Sequence, residues 1–176
     1  VSNYESFSEG ILGSSFNYNG ITYSEVNDGG GFFPDQSTFT AQDVGRDFII
    51  ENAGVFYDDY PTWGSPVNTL TFGTAYVNGS NLSLGAFVRA TMDLGQVCNA
   101  AGFDLAYYEN GPWGGIELHM DALRNGTVVG SDMITISNLG GRDNIAIGRL
   151  EVQGVEFDTV KIYAQYQGVY SAPRMI

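Results

Sequence analysis

The chain has 176 residues, enough for one domain with a sizeable core, and it carries 7 Lys and Arg against 20 Asp and Glu, a net charge of -13. That balance excludes binding to nucleic-acid backbones, because nothing could neutralise a run of phosphates. Hydrophobic residues at 43% argue for a folded chain, while 24 glycines, 14% aromatic and only 15% charged residues are the profile of a turn-rich β protein.

Alternation with a period of two organises the sequence, and no window shows a helical period. In chain order, strands are predicted at 48–56, 68–72, 84–94, 102–108, 116–122, 128–136, 147–152 and 159–166, each bounded by Gly, Asn, Asp or Pro clusters. In the third of these every even position is apolar, while Arg89, Thr91 and Asp93 share the other face. The same parity turns Leu118, Met120 and Ala122 inward and Glu117, His119 and Asp121 outward. It also sets Val160 and Ile162 against Thr159, Lys161, Tyr163 and Gln165. Asn125-Gly126 between two alternating runs predicts a type I′ hairpin turn, and Asn78-Gly79 marks a further connection. The segment 27–42, with three consecutive glycines, reads as a loop. All five prolines fall outside the predicted strands, as expected when a missing N–H would break a ladder. Eight or more strands at this spacing predict a single all-β domain over 1–176, an antiparallel β-sandwich of the jelly-roll type.

No apolar run approaches the ~20 residues that span a bilayer, so no membrane insertion is expected. Cys98 is the only cysteine, which excludes an internal disulfide and a Cys-built zinc site. Low lysine content and abundant Gly, Asn, Thr and Tyr suit a secreted, extracellular domain excised from a larger protein.

Tyr4-Glu5-Ser6-Phe7, Gly13-Ser14-Ser15-Phe16, Tyr18-Asn19-Gly20-Ile21-Thr22-Tyr23, Gly102-Phe103-Asp104, Asn125-Gly126-Thr127-Val128-Val129-Gly130 and Phe157-Asp158-Thr159-Val160-Lys161-Ile162 carry a family likeness. The chain resembles secreted bacterial jelly-roll domains of the galactose-binding-like type, and is similar to carbohydrate-binding modules of that fold. The resemblance implies a non-catalytic sandwich attached to a larger extracellular enzyme and a structural calcium joining the first strand to the last. It singles out Glu5 as a calcium ligand; Asp28, Asp158 and Asp35 are further candidates, because acidic, Asn- and Gly-rich loops offer the oxygens this cation prefers.

Two loops have the composition of sugar sites. Tyr57-Asp58-Asp59-Tyr60-Pro61-Thr62-Trp63 and Tyr107-Tyr108-Glu109-Asn110-Gly111-Pro112-Trp113 hold both tryptophans of the chain, next to carboxylates. Pyranose C–H faces stack on Trp and Tyr, and sugar hydroxyls need fixed acceptors and donors. Trp63, Trp113, Tyr57, Tyr60 and Tyr108 are therefore the expected platform, with Asp58, Asp59, Glu117 and His119 as polar partners. His119 is the sole histidine, and no Gly-x-Ser-x-Gly elbow accompanies it, which argues against a serine hydrolase. The Glu-x-Asp-x-x-Glu strand signature of laminarinase-like hydrolases is absent. Arg149-Leu150-Glu151-Val152 with Lys161-Ile162-Tyr163-Ala164-Gln165 matches alginate-cleaving lyases only superficially. The expected function is polysaccharide binding without cleavage. A calcium-stabilised structural or adhesive surface domain is the alternative, and a glycoside hydrolase or lyase comes third.

Overall fold

The computed structural model describes residues 4–32, 38–39, 48–52, 68–72, 75–77, 80–82, 85–108, 116–136, 145–166, 169–171 and 174–175. Every regular element among them is a strand: β1 (Gly10–Gly13), β2 (Ser15–Tyr18), β3 (Ile21–Phe32), β4 (Thr38–Phe39), β5 (Phe48–Asn52), β6 (Asn68–Thr71), β7 (Ala75–Val77), β8 (Ser80–Leu82), β9 (Gly85–Tyr108), β10 (Ile116–Arg124), β11 (Thr127–Ile136), β12 (Ile145–Tyr166), β13 (Val169–Ser171) and β14 (Arg174–Met175). Pairing is antiparallel throughout. One sheet runs β1-β5-β6-β14-β9-β12-β10-β11, with β3 beside β9, β2 and β4 on β3, and β13 on β12; β7 and β8 pair separately. No helix of the described residues is long and apolar enough to cross a membrane.

Two strands set the architecture. The predicted strands 84–94 and 102–108 are one strand, β9, and 147–152 and 159–166 are one strand, β12. Both bend midway. Two opposite register shifts flank the pair Phe157↔Cys98: four steps along β12 face two along β9 before it, and two along β12 face five along β9 after it, so β9 carries a net excess of one residue. A net shift of one residue turns the strand over, which is why burial in β9 switches from even positions (Ala90, Met92, Leu94) to Leu105. Gly95 (φ 65°) and Gly154 (φ 81°) sit at the bend in the left-handed region that glycine enters without steric cost. The Asp93 carboxylate accepts from the Gly95 N–H at 2.9 Å and closes the corner.

Because both strands bend, the sheet wraps around one core. Tyr23, Met92, Met120, Val160 and Ile162 on one side of the bend cluster with Phe48, Ile50, Leu70, Leu105 and Leu150 on the other. An aromatic group anchors its N-terminal end: Phe48 lies 5.2 Å from Phe16, 6.2 Å from Tyr23 and 6.0 Å from Phe72, ring centre to ring centre. Burial, then the neighbouring Tyr23 and Tyr18 hydroxyls, pushes the Tyr4 phenol well above its usual value, so this ring enters the core neutral.

The Asn-Gly turns behave as local chemistry requires. Asn125 and Gly126 both have positive φ, at 49° and 79°, and join the directly paired Arg124 and Thr127, as a type I′ turn demands. Asn19 and Gly20 do the same between Tyr18 and Ile21. The segment 27–42 is not a loop throughout. Residues 27–32 continue β3 along the β9 edge past a register shift, and Thr38–Phe39 returns as β4, because backbone pairing compensates for the missing apolar side chains. The five prolines lie outside the described residues.

Asp158 clamps the β10–β11 turn to β12. Its Oδ2 accepts from Arg124 Nη1 at 2.7 Å and from the Asn125 N–H at 3.3 Å, and its Oδ1 accepts from Thr159 Oγ1 at 3.0 Å. The Asn125 amide first, then the Thr159 hydroxyl and the Arg124 guanidinium, hold this carboxyl below its ordinary value. A carboxyl whose folded pKa is depressed stabilises the fold above its unfolded pKa, and that stabilisation is lost as pH falls through the folded value. Asp158→Asn should therefore melt with a shallower dependence on pH than wild type between about pH 5 and pH 2. Thermal melts across that range check this, and identical slopes would show that the clamp does not titrate with unfolding.

Candidate functional site

The outward face of β9, β12, β10 and β11 carries an ordered polar strip. Register fixes its rows: Thr135, Glu117 and Gln165 lie across from one another, then Met133, His119 and Tyr163, then Ser131, Asp121, Lys161 and Thr91. The alternation that buries Leu118, Met120 and Ala122 from β10 forces Glu117, His119 and Asp121 out together.

The side chains of the strip hold one another. His119 Nε2 donates to Glu117 Oε2 at 2.9 Å, with the His119 side chain 19% and the Glu117 side chain 40% exposed. In the neutral ring this bond leaves Nδ1 as an acceptor. The imidazole lies flat against the Tyr163 ring, with centres 5.0 Å apart and planes 3° from parallel. Tyr163 Oη donates to Asp121 Oδ2 at 3.0 Å, and Ser131 Oγ donates to Asp121 Oδ1 at 2.7 Å. A proton on each donor is thus committed, and the phenol and hydroxyl oxygens keep lone pairs for an incoming donor. Such a surface can fix hydroxyl groups at set spacings, which is the polar half of sugar recognition.

The sequence-predicted residues divide between described and undescribed parts of the chain. Glu117 and His119 meet on this strip. Tyr108 ends β9, and nothing is described of its side chain; Trp63, Trp113, Tyr57, Tyr60, Asp58 and Asp59 lie outside the described residues. Tyr163, Asp121 and Ser131 complete the strip but were not among the predicted ligand-binding residues. The outward parity of Asp121 and Tyr163 is legible in the sequence, whereas the meeting of Tyr163 and Ser131 with Asp121 depends on which strands are neighbours.

Among the expected calcium ligands, Glu5 and Asp158 occupy separate hydrogen-bonded positions. Glu5 Oε1 accepts from the Asn68 N–H at 2.8 Å, and Asn68 Nδ2 donates to the Tyr4 and Phe7 carbonyls at 3.3 and 3.0 Å, which ties the N-terminal turn to the start of β6. Asp158 is engaged by the turn clamp. Asp28 lies in β3, with its side chain outside the description, and Asp35 lies outside the described residues. No group of three or more His, Cys, Asp or Glu able to hold a metal occurs among the described residues.

The two lyase-like segments do not converge. Arg149 lies on β12 before the Gly154 bend, where Nη1 donates to both Asp104 oxygens at 2.9 and 3.1 Å; Lys161 and Tyr163 lie beyond it, on the strip. No known protein-family model matches the chain, and no curated protein matches it, so the strip's own chemistry carries the functional reading.

Proposed function

We propose that the protein is a secreted, non-catalytic carbohydrate-binding module: a jelly-roll sandwich whose layers are the two halves of the bent sheet, binding a polysaccharide on the outward face of β10 and β12. One observation carries the reading. His119 is fixed by Glu117 and stacked on Tyr163, whose hydroxyl is in turn fixed by Asp121, so polar atoms stand in set positions on one face. Pre-set donors and acceptors lower the ordering cost of binding a flexible polymer. The carboxylates of the strip accept from neighbouring side chains, which suits them to orient those groups rather than to attack a glycosidic bond. Trp63 and Trp113, with Tyr57, Tyr60, Tyr108, Asp58 and Asp59, supply the stacking surface in this reading. Trp113 belongs to the connection that leads into β10 just before Glu117. In a parent protein the module would hold an attached catalytic domain on its polymer.

Native affinity electrophoresis against a panel of plant and algal polysaccharides tests the proposal. The expected result is retardation by at least one polymer with no release of reducing or unsaturated ends. Release of either would make the protein an enzyme, and no retardation by any polymer would remove the reading.

The second reading, a calcium-stabilised structural or adhesive domain, draws on the Glu5 tie between the N-terminal turn and β6, the strand that pairs with β14 at Leu70↔Met175. A fall in melting temperature with EDTA, in a protein that no glycan retards, would favour it.

A further inference from the structure

One side chain breaks the pattern of the strip. Its rows across β11, β10, β12 and β9 are polar or aromatic except at Met133, which stands across from His119 and is 46% exposed. The other two methionines whose side chains are described, Met92 and Met120, are fully buried in the core. A lone apolar side chain on a surface needs no explanation by itself. This one, however, is held: Thr135 Oγ1 donates to Met133 Sδ at 3.5 Å, which fixes a side chain of high intrinsic flexibility along the outward face of β11.

The hydroxyls around the thioether have their protons committed. Two residues away on either side along β11, Thr135 donates to the sulfur and Ser131 donates to Asp121, and on β12 the Tyr163 hydroxyl donates to Asp121 as well. An apolar spot is thus bordered by hydroxyl oxygens that keep lone pairs and offer no proton. A pyranose ring is the complement of that arrangement, with C–H groups on its face and hydroxyl donors around its rim. The aromatic pair does not supply the apolar contact in full, because His119 and Tyr163 lie flat against each other and each closes one face of its neighbour. A charged group set on the thioether would lose its hydration and gain no partner.

Resting on the polysaccharide-binding reading above, we propose that Met133 is a contact residue of the sugar site, its thioether covering the C–H face of one neutral pyranose ring whose free hydroxyls donate to Ser131, Thr135 and Tyr163. The site then extends from β12 and β10 onto β11, and the described strands carry an apolar contact of their own beside the polar one. Because Thr135 already holds the sulfur, less side-chain freedom is lost when the sugar docks.

The test titrates the full chain with soluble oligosaccharides of a β-glucan, a xylan, a mannan and a galactan, and follows the methionine methyl resonances by NMR beside the affinity. Wild type should bind at least one of them, with the Met133 methyl signal, identified by its loss in Met133→Leu, shifting in step with saturation. Met133→Gln keeps the length of the side chain and replaces the thioether by an amide; it should weaken that binding about fivefold, whereas Met133→Leu should retain most of it. Wild-type affinity in Met133→Gln, or a Met133 methyl signal unmoved at saturation, would overturn the contact while sparing the polysaccharide reading. A loss as large in Met133→Leu would overturn it too, since the apolar surface would not be the cause. Binding to none of these neutral sugars would overturn it as well, and the electrophoresis panel above then decides whether the wider reading falls with it. Should Met133→Gln fail to fold, the methyl signal of the wild type still decides.

Discussion

Phe48→Ala is expected to lower the unfolding free energy by about 3–5 kcal/mol, the usual cost of deleting a fully buried phenyl ring. Phe48 opens β5, is fully buried, and packs on Phe16, Tyr23 and Phe72, rings contributed by β2, β3 and the residue following β6. Phe16 and Tyr23 cannot collapse into the gap, because backbone pairing holds both in the sheet. For a chain of this size the midpoint should fall by roughly 10 °C or more. Phe48→Leu keeps most of the volume and should cost about 1 kcal/mol. Calorimetry on the three proteins checks the ranking. A cost for the alanine variant no larger than for the leucine variant would show that this end of the core is not packed as described.

The second large effect belongs to the strip. Tyr163→Ala is expected to weaken polysaccharide binding by about 2 kcal/mol, roughly thirtyfold, as a truncated aromatic hot spot does. Three losses combine: the ring that braces His119, the hydroxyl that fills Asp121 Oδ2, and the acceptor offered to the ligand. Tyr163→Phe keeps the ring and removes the hydroxyl, so it should lose about 1 kcal/mol. Both variants should keep a near-native melting temperature, because Tyr163 faces outward and is not part of the buried core. Titration calorimetry with the retarding polysaccharide gives the affinities. A Tyr163→Ala protein that binds as wild type does would move the site off this face.

Much of the strand content could be read from the sequence, because one face of each strand is buried. Where Ala90, Met92 and Leu94, or Leu118, Met120 and Ala122, pack inward, strict alternation announces both the strand and its outward set. The Asn125-Gly126 turn was equally legible, since few residues other than Asn and Gly accept positive φ at both positions. The long bent strands were not. At Gly95-Gln96-Val97 the alternation breaks, and a bulge in a continuous strand has the same sequence signature as a loop between two short strands. Residues 27–32 escaped for a related reason: three glycines and an Asn-Asp pair carry no apolar period, and only pairing with β9 makes them a strand.

The candidate site divides along the same line. Glu117 and His119 could be placed together from one strand, because positions two apart share a face. Asp121 follows on the same face of that strand, whereas Tyr163 and Ser131 join through neighbouring strands, and neighbour identity in a sheet is a property of topology that no single segment encodes.

The most direct test of the account follows the C–H proton resonances of His119 by NMR during titration with an oligosaccharide of the retarding polymer. His119 is the only histidine in the chain, so its two ring C–H protons report on the strip without ambiguity. The account predicts that they shift in step with saturation of the site, alongside the two tryptophan indole N–H signals if those rings form the stacking surface. Saturable binding that leaves the His119 resonances unmoved would contradict the assignment of the sugar site to the outward face of β10 and β12.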